Sequence, residues 1–313
     1  MIISTGLRTD IINHYSPWMF ERFREGYVFT RNPLFPKSVK KYRLTPELVD
    51  AVIFCSKNYE PALDRLHEIT NRYRTFFHYT LTAYGRDIEP NIPDEEMRIK
   101  TLITLSKMVG RERLVWRFEP VFFSEDYPLG RITETFERIA ARISPYVRGC
   151  IVAFLEPFYS MHARMPQVSL PDNQSKRAFI ERILAVAKKY NLCVQSCAAQ
   201  NDYKEMGLTH KGCYTLDIIG EANGCVFQKI KHTGNRRGCL CVPVRDIGWY
   251  DSCPNLCKYC NANRSAGEVK SNVLKHDPHS PLLIGALEAD DELTDGNQVS
   301  FLSQTRQISL FDL

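Results

Sequence analysis

Through its first 200 residues the chain alternates short, almost unbroken apolar runs with stretches of helical spacing, and this limits the fold more than any other feature. The apolar runs fall at 1–4, 51–55, 76–82, 114–118, 150–155 and 193–197, and the helical stretches at 17–24, 61–73, 94–109, 132–143 and 175–190. A strand with one wet face shows a polar residue at every second position. These runs do not, so both faces are expected to be covered. Strands separated by helices run parallel through right-handed crossovers. Two α/β architectures fit: a complete or partial (β/α) barrel, or an open doubly wound sheet. No G-x-G-x-x-G follows the first run and no G-x-x-x-x-G-K-[ST] occurs anywhere, so the reading is a (β/α) barrel of parallel strands over 1–200. Residues 27–43 break the rhythm. Two β-like runs flank Asn32-Pro-Leu-Phe-Pro36, the pattern of a hairpin inserted in the first βα unit. The helix over 94–109 is expected to start on acids that suit its N-terminus and to turn Met97, Leu102, Leu105 and Val109 to one face.

A barrel gathers its active site where its strands end. The ends here are polar: Arg8, Thr9 and Asp10; Lys57 and Asn58; Thr80, Thr82 and Tyr84; Arg117 and Glu119; Glu156; Ser196 and Cys197. A buried strand that ends in a charge needs a partner or a ligand for it. A polar pocket is therefore expected, with Arg8, Asp10, Lys57, Arg117 and Glu119 as catalytic candidates. The alternative is a set of ion pairs closing the mouth, such as Arg8 with Glu156 or Arg117 with Glu119.

Of the 313 residues 44% are hydrophobic and 25% charged, ordinary for a globular protein. No apolar run approaches the roughly 20 residues of a membrane span. The start, Met1-Ile-Ile-Ser-Thr-Gly, lacks the pattern of a signal peptide. A cytoplasmic chain without membrane contact is expected. Eleven cysteines in such a chain point to metal or redox chemistry rather than disulfides, and nine of them lie after residue 190. Cys55 and Cys150 sit in apolar runs and read as small buried hydrophobes. Cys253, Cys257 and Cys260 spell C-x3-C-x2-C, which can ligate three irons of a [4Fe–4S] cube and leave the fourth open. Tetrahedral zinc, completed by Cys239 and Cys241, is the rival. With the triplet set aside and Cys193 and Cys225 read as packing residues, Cys197, Cys213, Cys239 and Cys241 remain. Four is the count for a full second [4Fe–4S] cluster, the alternatives being one zinc site or unrelated thiols. Residues 201–285 are thus expected to form a cysteine-rich Fe–S cap on the barrel.

The triplet, with Tyr259 as its aromatic, resembles the signature of radical S-adenosylmethionine enzymes. The resemblance implies that the open iron binds S-adenosylmethionine, whose C–S bond is cleaved by one electron to give a 5′-deoxyadenosyl radical. It implies cofactor contacts from Cys253, Cys257, Cys260 and Tyr259, together with the strand-end residues Thr80, Thr82 and Glu156. In those enzymes the motif follows the first strand of a complete or partial barrel; here it follows the whole barrel, so the order is permuted. More of the chain resembles a bacterial family of unknown function with a C-terminal cysteine cluster similar to the radical one. The matching residues are Arg8-Thr9-Asp10-Ile11, Lys57-Asn58, Thr80-Leu-Thr-x-Tyr84-Gly-Arg-Asp87-Ile-Glu-Pro90, Asp246-Ile-Gly-x-Tyr250-Asp-x-Cys253 and His276-Asp-Pro-x-Ser-Pro-Leu.

Residues 286–306 are polar, acidic and aperiodic, the mark of a surface segment or flexible linker within a tail of 286–313. Gln307-Ile308-Ser309-Leu310-Phe311 then resembles the peptide by which bacterial replication and repair proteins dock on the sliding clamp. An extended segment can drop Leu310 and Phe311 into an apolar groove while Gln307 bonds at its rim. The alternative is a tail that folds back on its own domain. A net charge of +5 permits DNA contact without demanding it, and Lys229, Lys231, His232, Arg236 and Arg237 form one basic cluster, with another at Lys37, Lys40, Lys41 and Arg43. Cluster and tail together suggest a radical enzyme acting on DNA, in lesion repair or modification, with Tyr84 or Trp249 stacking on an extruded base. Two rivals stand beside it: a radical enzyme on a small metabolite or peptide, and a non-catalytic Fe–S or zinc protein.

Overall fold

The structure is a computed structural model that describes residues 1–156, 159–197, 203–228, 230 and 238–303. Among the described residues the strands are β1 (Ile2–Ser4), β2 (Tyr27–Arg31), β3 (Ser38–Arg43), β4 (Ala51–Ser56), β5 (Thr75–Thr80), β6 (Leu114–Val121), β7 (Gly149–Phe154), β8 (Val194–Ser196), β9 (Arg245–Asp246) and β10 (Glu292–Asp295). The α-helices are α1 (Ile11–His14), α2 (Ser16–Glu25), α3 (His67–Thr70), α4 (Glu95–Val109), α5 (Leu129–Ile143), α6 (Tyr159–Arg164), α7 (Asn173–Lys189), α8 (Leu216–Asn223) and α9 (Ala266–Val273).

Seven strands make one sheet in the order β8-β7-β6-β5-β4-β1-β9, every pair parallel. Neighbours in the sheet are neighbours in the chain, and β9, the last of the seven, returns to lie beside β1. The strand order is the one a barrel requires. The sheet's edges are β8 and β9, so what is established is a seven-stranded parallel sheet in an α/β fold. β9 belongs to the cysteine-rich segment, which therefore completes the sheet as well as covering it.

The burial explains the unbroken apolar runs. One face of the sheet, with Val52, Phe54, Phe77, Trp116, Phe118 and Val152, packs on Trp18, Phe136, Phe179 and the other inward residues of the flanking helices. The opposite face, with Ile2, Ala51, Ile53, Phe76, Val115 and Ile151, is covered by Leu216 and Ile219 of α8 and by Cys213, Tyr214, Cys241 and Val242. Each fully buried aliphatic or aromatic side chain contributes about 1.5–3 kcal/mol relative to exposure.

Two helix expectations are corrected. Asp94 is the N-cap of α4, accepting from Met97 N at 2.8 Å, but Met97 is 46% exposed and Arg98 turns inward in its place. Arg98 does so because a buried carboxylate, Glu89, lies within reach. Residues 61–73 do not form one helix: a 3-10 turn over Glu60–Arg65 hands over to the short α3.

The hairpin expected at 27–43 is present, β2 against β3 from Tyr27↔Arg43 to Arg31↔Val39. The stretch from 286 lies on the surface as far as residue 303 and is fastened there. β10 adds to β3 in parallel, Asp291 pairs with Arg31, and Phe301 N donates to Asp50 at 2.8 Å. The basic residues Lys229, Lys231, His232, Arg236 and Arg237 and the peptide Gln307–Phe311 lie outside the described residues. No helix among the described residues is long and apolar enough to cross a membrane.

Candidate iron–sulfur and cofactor site

The cysteine triplet lies in a loop that begins where β9 ends. Asp246 ties that end to the loop after β1, accepting from Leu7 N at 2.9 Å and Gly248 N at 3.0 Å. Position 248 takes glycine because a Cβ there would stand 3.2 Å from Thr9 Cγ2 and 3.3 Å from Thr9 N. Asp251 and Leu256 both sit at φ +52°, the left-handed turns that coil the loop back on itself. Asp251 N donates to Ala262 O at 2.8 Å, its carboxylate accepts from Arg264 Nε at 2.8 Å, and Asn263 Nδ2 donates to Cys253 O at 2.7 Å. From outside, Arg164 of α6 donates to Asn263 O at 2.8 Å and to Cys260 O. Lys258 N donates to Ile88 O at 3.0 Å. The loop is thus held by its own backbone, by α6 and by the segment after β5.

So fastened, Cys253, Cys257 and Cys260 line a cavity of about 140 Å³, together with Arg8, Asp10, Cys55, Lys57, Thr80 and Tyr259. These come from the loops and C-terminal ends of β1, β4 and β5, adjacent in the sheet. Cys253 and Cys257 are buried and Cys260 is half-buried. Burial, then the Asp10 carboxylate and Cys260, push the Cys253 thiol up to about 12. Burial likewise raises Cys257, against the pull of the Lys57 ammonium. Thiols kept protonated by burial ionise on binding a cationic centre, which exchanges metal for protons. Among the described residues no three cysteine sulfurs lie mutually within 4.8 Å, the crowding that one ion would impose. A cube of four irons holds its thiolates farther apart than a single zinc does.

Two buried carboxylates organise the wall. Asp10 caps α1 through Asn13 N at 3.1 Å and also accepts from Lys57 N and Asn255 Nδ2, each at 3.0 Å. Its oxygens are occupied, so it positions the β1 and β4 loops against the cysteine loop. Glu89 is 1% exposed and takes Lys57 Nζ at 2.8 Å, Thr82 Oγ1 at 2.7 Å and the Tyr259 hydroxyl. Arg98 approaches its second oxygen at 3.7 Å. Burial alone would raise this carboxyl, but Lys57 and Arg98 outweigh it and hold the group below the usual carboxylate range. Lys57 also sits over the Tyr259 ring, 5.5 Å from its centroid. Arg8, half-buried at the rim, lies over the Tyr250 ring at 5.4 Å.

The expected site residues therefore divide. Arg8, Asp10, Lys57, Thr80, Tyr259 and the three cysteines meet. Thr82 reaches the site through Glu89, and Glu156 is not among the cavity's lining residues. Arg117 and Glu119 do not line it either. Arg117 is buried on the sheet face that α8 covers, bound to Glu119 and, at 2.7 Å, to His78 Nδ1. The two do form an ion pair, but within the one strand β6, and the guanidinium lies beside Cys213 and Cys197 of the second cysteine set. Cys150 is buried as expected, but Cys55 lines the cavity, Cys193 is exposed and Cys225 is half-buried, so these three are not core packing.

Glu89, Asn255, Asn263, Cys55 and Arg164 carry roles that were not singled out. Glu89 sits inside the Asp87-Ile-Glu-Pro90 stretch, and the two asparagines flank the cysteines, where short polar side chains satisfy a tight loop.

A family model described as "Domain of unknown function (DUF1848)" matches residues 2–262. No curated protein matches the chain. Among solved structures, an endoglucanase chain is similar at 8% identity, over 66% of this chain and 86% of that chain, with a TM-score of 0.24. A likeness at that score carries no argument about fold or activity.

Proposed function

We propose that this chain, which belongs to the DUF1848 family, is a radical S-adenosylmethionine-type enzyme with a [4Fe–4S] cluster on Cys253, Cys257 and Cys260. The observation that carries the reading is the convergence of three clustered cysteines with Arg8, Lys57 and Thr80 on one cavity at the ends of β1, β4 and β5. The residues fit the group. The loop supplies three thiols to one cavity, among the described residues no three cysteine sulfurs lie mutually within 4.8 Å, and the further cysteine of the cavity, Cys55, belongs to β4 rather than to the loop. The sheet order supports a partial (β/α) barrel as the frame.

When bound, the cluster would supply one electron to the sulfonium of S-adenosylmethionine and break a C–S bond. The chain's own groups do the rest. Arg8 presents a planar guanidinium to a carboxylate at the rim. Lys57, paired with Glu89 at 2.8 Å, places a cation inside the cavity beside Cys257. The Thr80 hydroxyl offers both donor and acceptor. Tyr259, pinned by Glu89, forms an apolar wall that limits water. The expected result is release of 5′-deoxyadenosine from dithionite-reduced, iron-loaded protein. Iron-loaded protein that leaves S-adenosylmethionine intact would overturn the enzyme in favour of a non-catalytic Fe–S protein, and zinc in place of iron would overturn the cluster.

The tail peptide extends the proposal to DNA: an enzyme carried on the sliding clamp meets DNA lesions, whereas a small metabolite or peptide would use the same cavity without the clamp. Purified clamp is expected to capture the full-length chain and to lose it after Leu310→Ala with Phe311→Ala. Capture unchanged by those substitutions, or none by the wild type, removes the clamp and with it the case for DNA.

A further inference from the structure

We infer that Cys197, Cys213, Cys239 and Cys241 hold a second [4Fe–4S] cluster, on the sheet face opposite the main helices. The fold brings the four together from three places. Cys197 follows β8, Cys213 sits in the turn that leads into α8, and Cys239 and Cys241 lie on the segment that returns toward β9. Their thiols form a row: Cys213 bonds to Cys197 and to Cys241, and Cys241 bonds to Cys239. Backbone amides already point at two of the sulfurs, Cys213 N at 3.1 Å from Cys241 Sγ and Cys241 N at 3.4 Å from Cys239 Sγ. Gly212 permits the turn. It sits at φ +83°, and a Cβ there would stand 3.1 Å from Leu240 O, so close backbone approach is what sets Cys213 beside Cys241.

The charge around the row suits an anionic group. His78 is fully buried beside it, and Arg117 Nη1 lies 2.7 Å from its Nδ1. A guanidinium only donates, so Nδ1 is the acceptor and Nε2 carries the proton, which faces the Cys213 backbone. The buried Arg117 cation beside Cys197 and Cys213 would offset the net negative charge of four thiolates on the iron core. A single zinc would draw the ends of the row together, since no three sulfurs among the described residues lie mutually within 4.8 Å, and a cube would spread its hydrogen-bonded neighbours, so metal counting decides between the two. Cys55 links the two regions: it lines the cavity and at the same time feels Arg117, Glu119 and Asp10.

The site stands whether or not the first cluster binds S-adenosylmethionine, and iron counting tests it without activity. Anaerobically reconstituted full-length protein should carry about eight irons and eight sulfides, falling to about four in Cys213→Ser with Cys241→Ser. The Cys253→Ser, Cys257→Ser, Cys260→Ser triple variant should also keep about four, held by the second set. Should the buried pair prevent folding, Cys197→Ser with Cys239→Ser removes the two half-buried ligands instead and should give the same loss. A wild type with about four irons and a triple variant with none would overturn the second cluster, as would one zinc per chain lost with the second set.

Discussion

Serine at any one of Cys253, Cys257 or Cys260 is expected to reduce 5′-deoxyadenosine release to the level of a protein-free control. The triplet has no spare: the cavity it lines contains one further cysteine, Cys55, whose thiol burial pushes up to about 11 and which belongs to β4 rather than to the loop. A serine hydroxyl is a far weaker iron ligand than a thiolate, so each substitution removes one of three anchors. The change is nearly isosteric, and the loop keeps its own fastening through Asp251, Asn263 and Arg164. Folding should therefore survive, and unfolding midpoints near the wild type would show that the loss is chemical. Variants that release 5′-deoxyadenosine at the wild-type rate would mean that these cysteines do not hold the reactive centre.

The second large effect is on stability. Replacing Glu89 by leucine leaves Lys57 and Arg98 in the interior without their anion and takes the acceptor from Thr82 and Tyr259. Breaking a buried ion pair on one side costs about 3–5 kcal/mol, and denaturant unfolding should read a loss of that order. Glu89→Gln keeps an acceptor oxygen and should cost less. The same carboxylate sets an acid limit. Its folded pKa lies below the unfolded value of about 4.3, so its contribution is complete above that pH and fades as pH falls through the folded value. Wild-type stability should therefore fall below about pH 4 more steeply than that of Glu89→Gln. Equal stability and equal pH slopes in the two proteins would contradict the role given to Glu89.

The sheet was legible because its strands are covered on both sides, and such strands leave unbroken apolar runs that composition alone marks out. The site was half legible for a related reason. Arg8, Asp10, Lys57 and Thr80 belong to β1, β4, β5 and their loops, which are neighbours, so residues read as strand ends did meet. Arg117 and Glu119 come from β6, one strand farther along, and point to the face where the second cysteine set lies. Glu89 was hidden because its burial depends on Arg98 turning inward from α4, which apolar spacing does not foretell. Cys55 was misread because an apolar run looks the same whether its last residue faces a core or a cavity.

The most direct test of the central claim is the electron paramagnetic resonance spectrum of the dithionite-reduced protein with and without S-adenosylmethionine. The account predicts a reduced [4Fe–4S] signal that shifts when S-adenosylmethionine is added, the shifting component being lost in the Cys253→Ser, Cys257→Ser, Cys260→Ser triple variant. A spectrum that S-adenosylmethionine leaves unchanged, or one that survives the triple substitution intact, would contradict it.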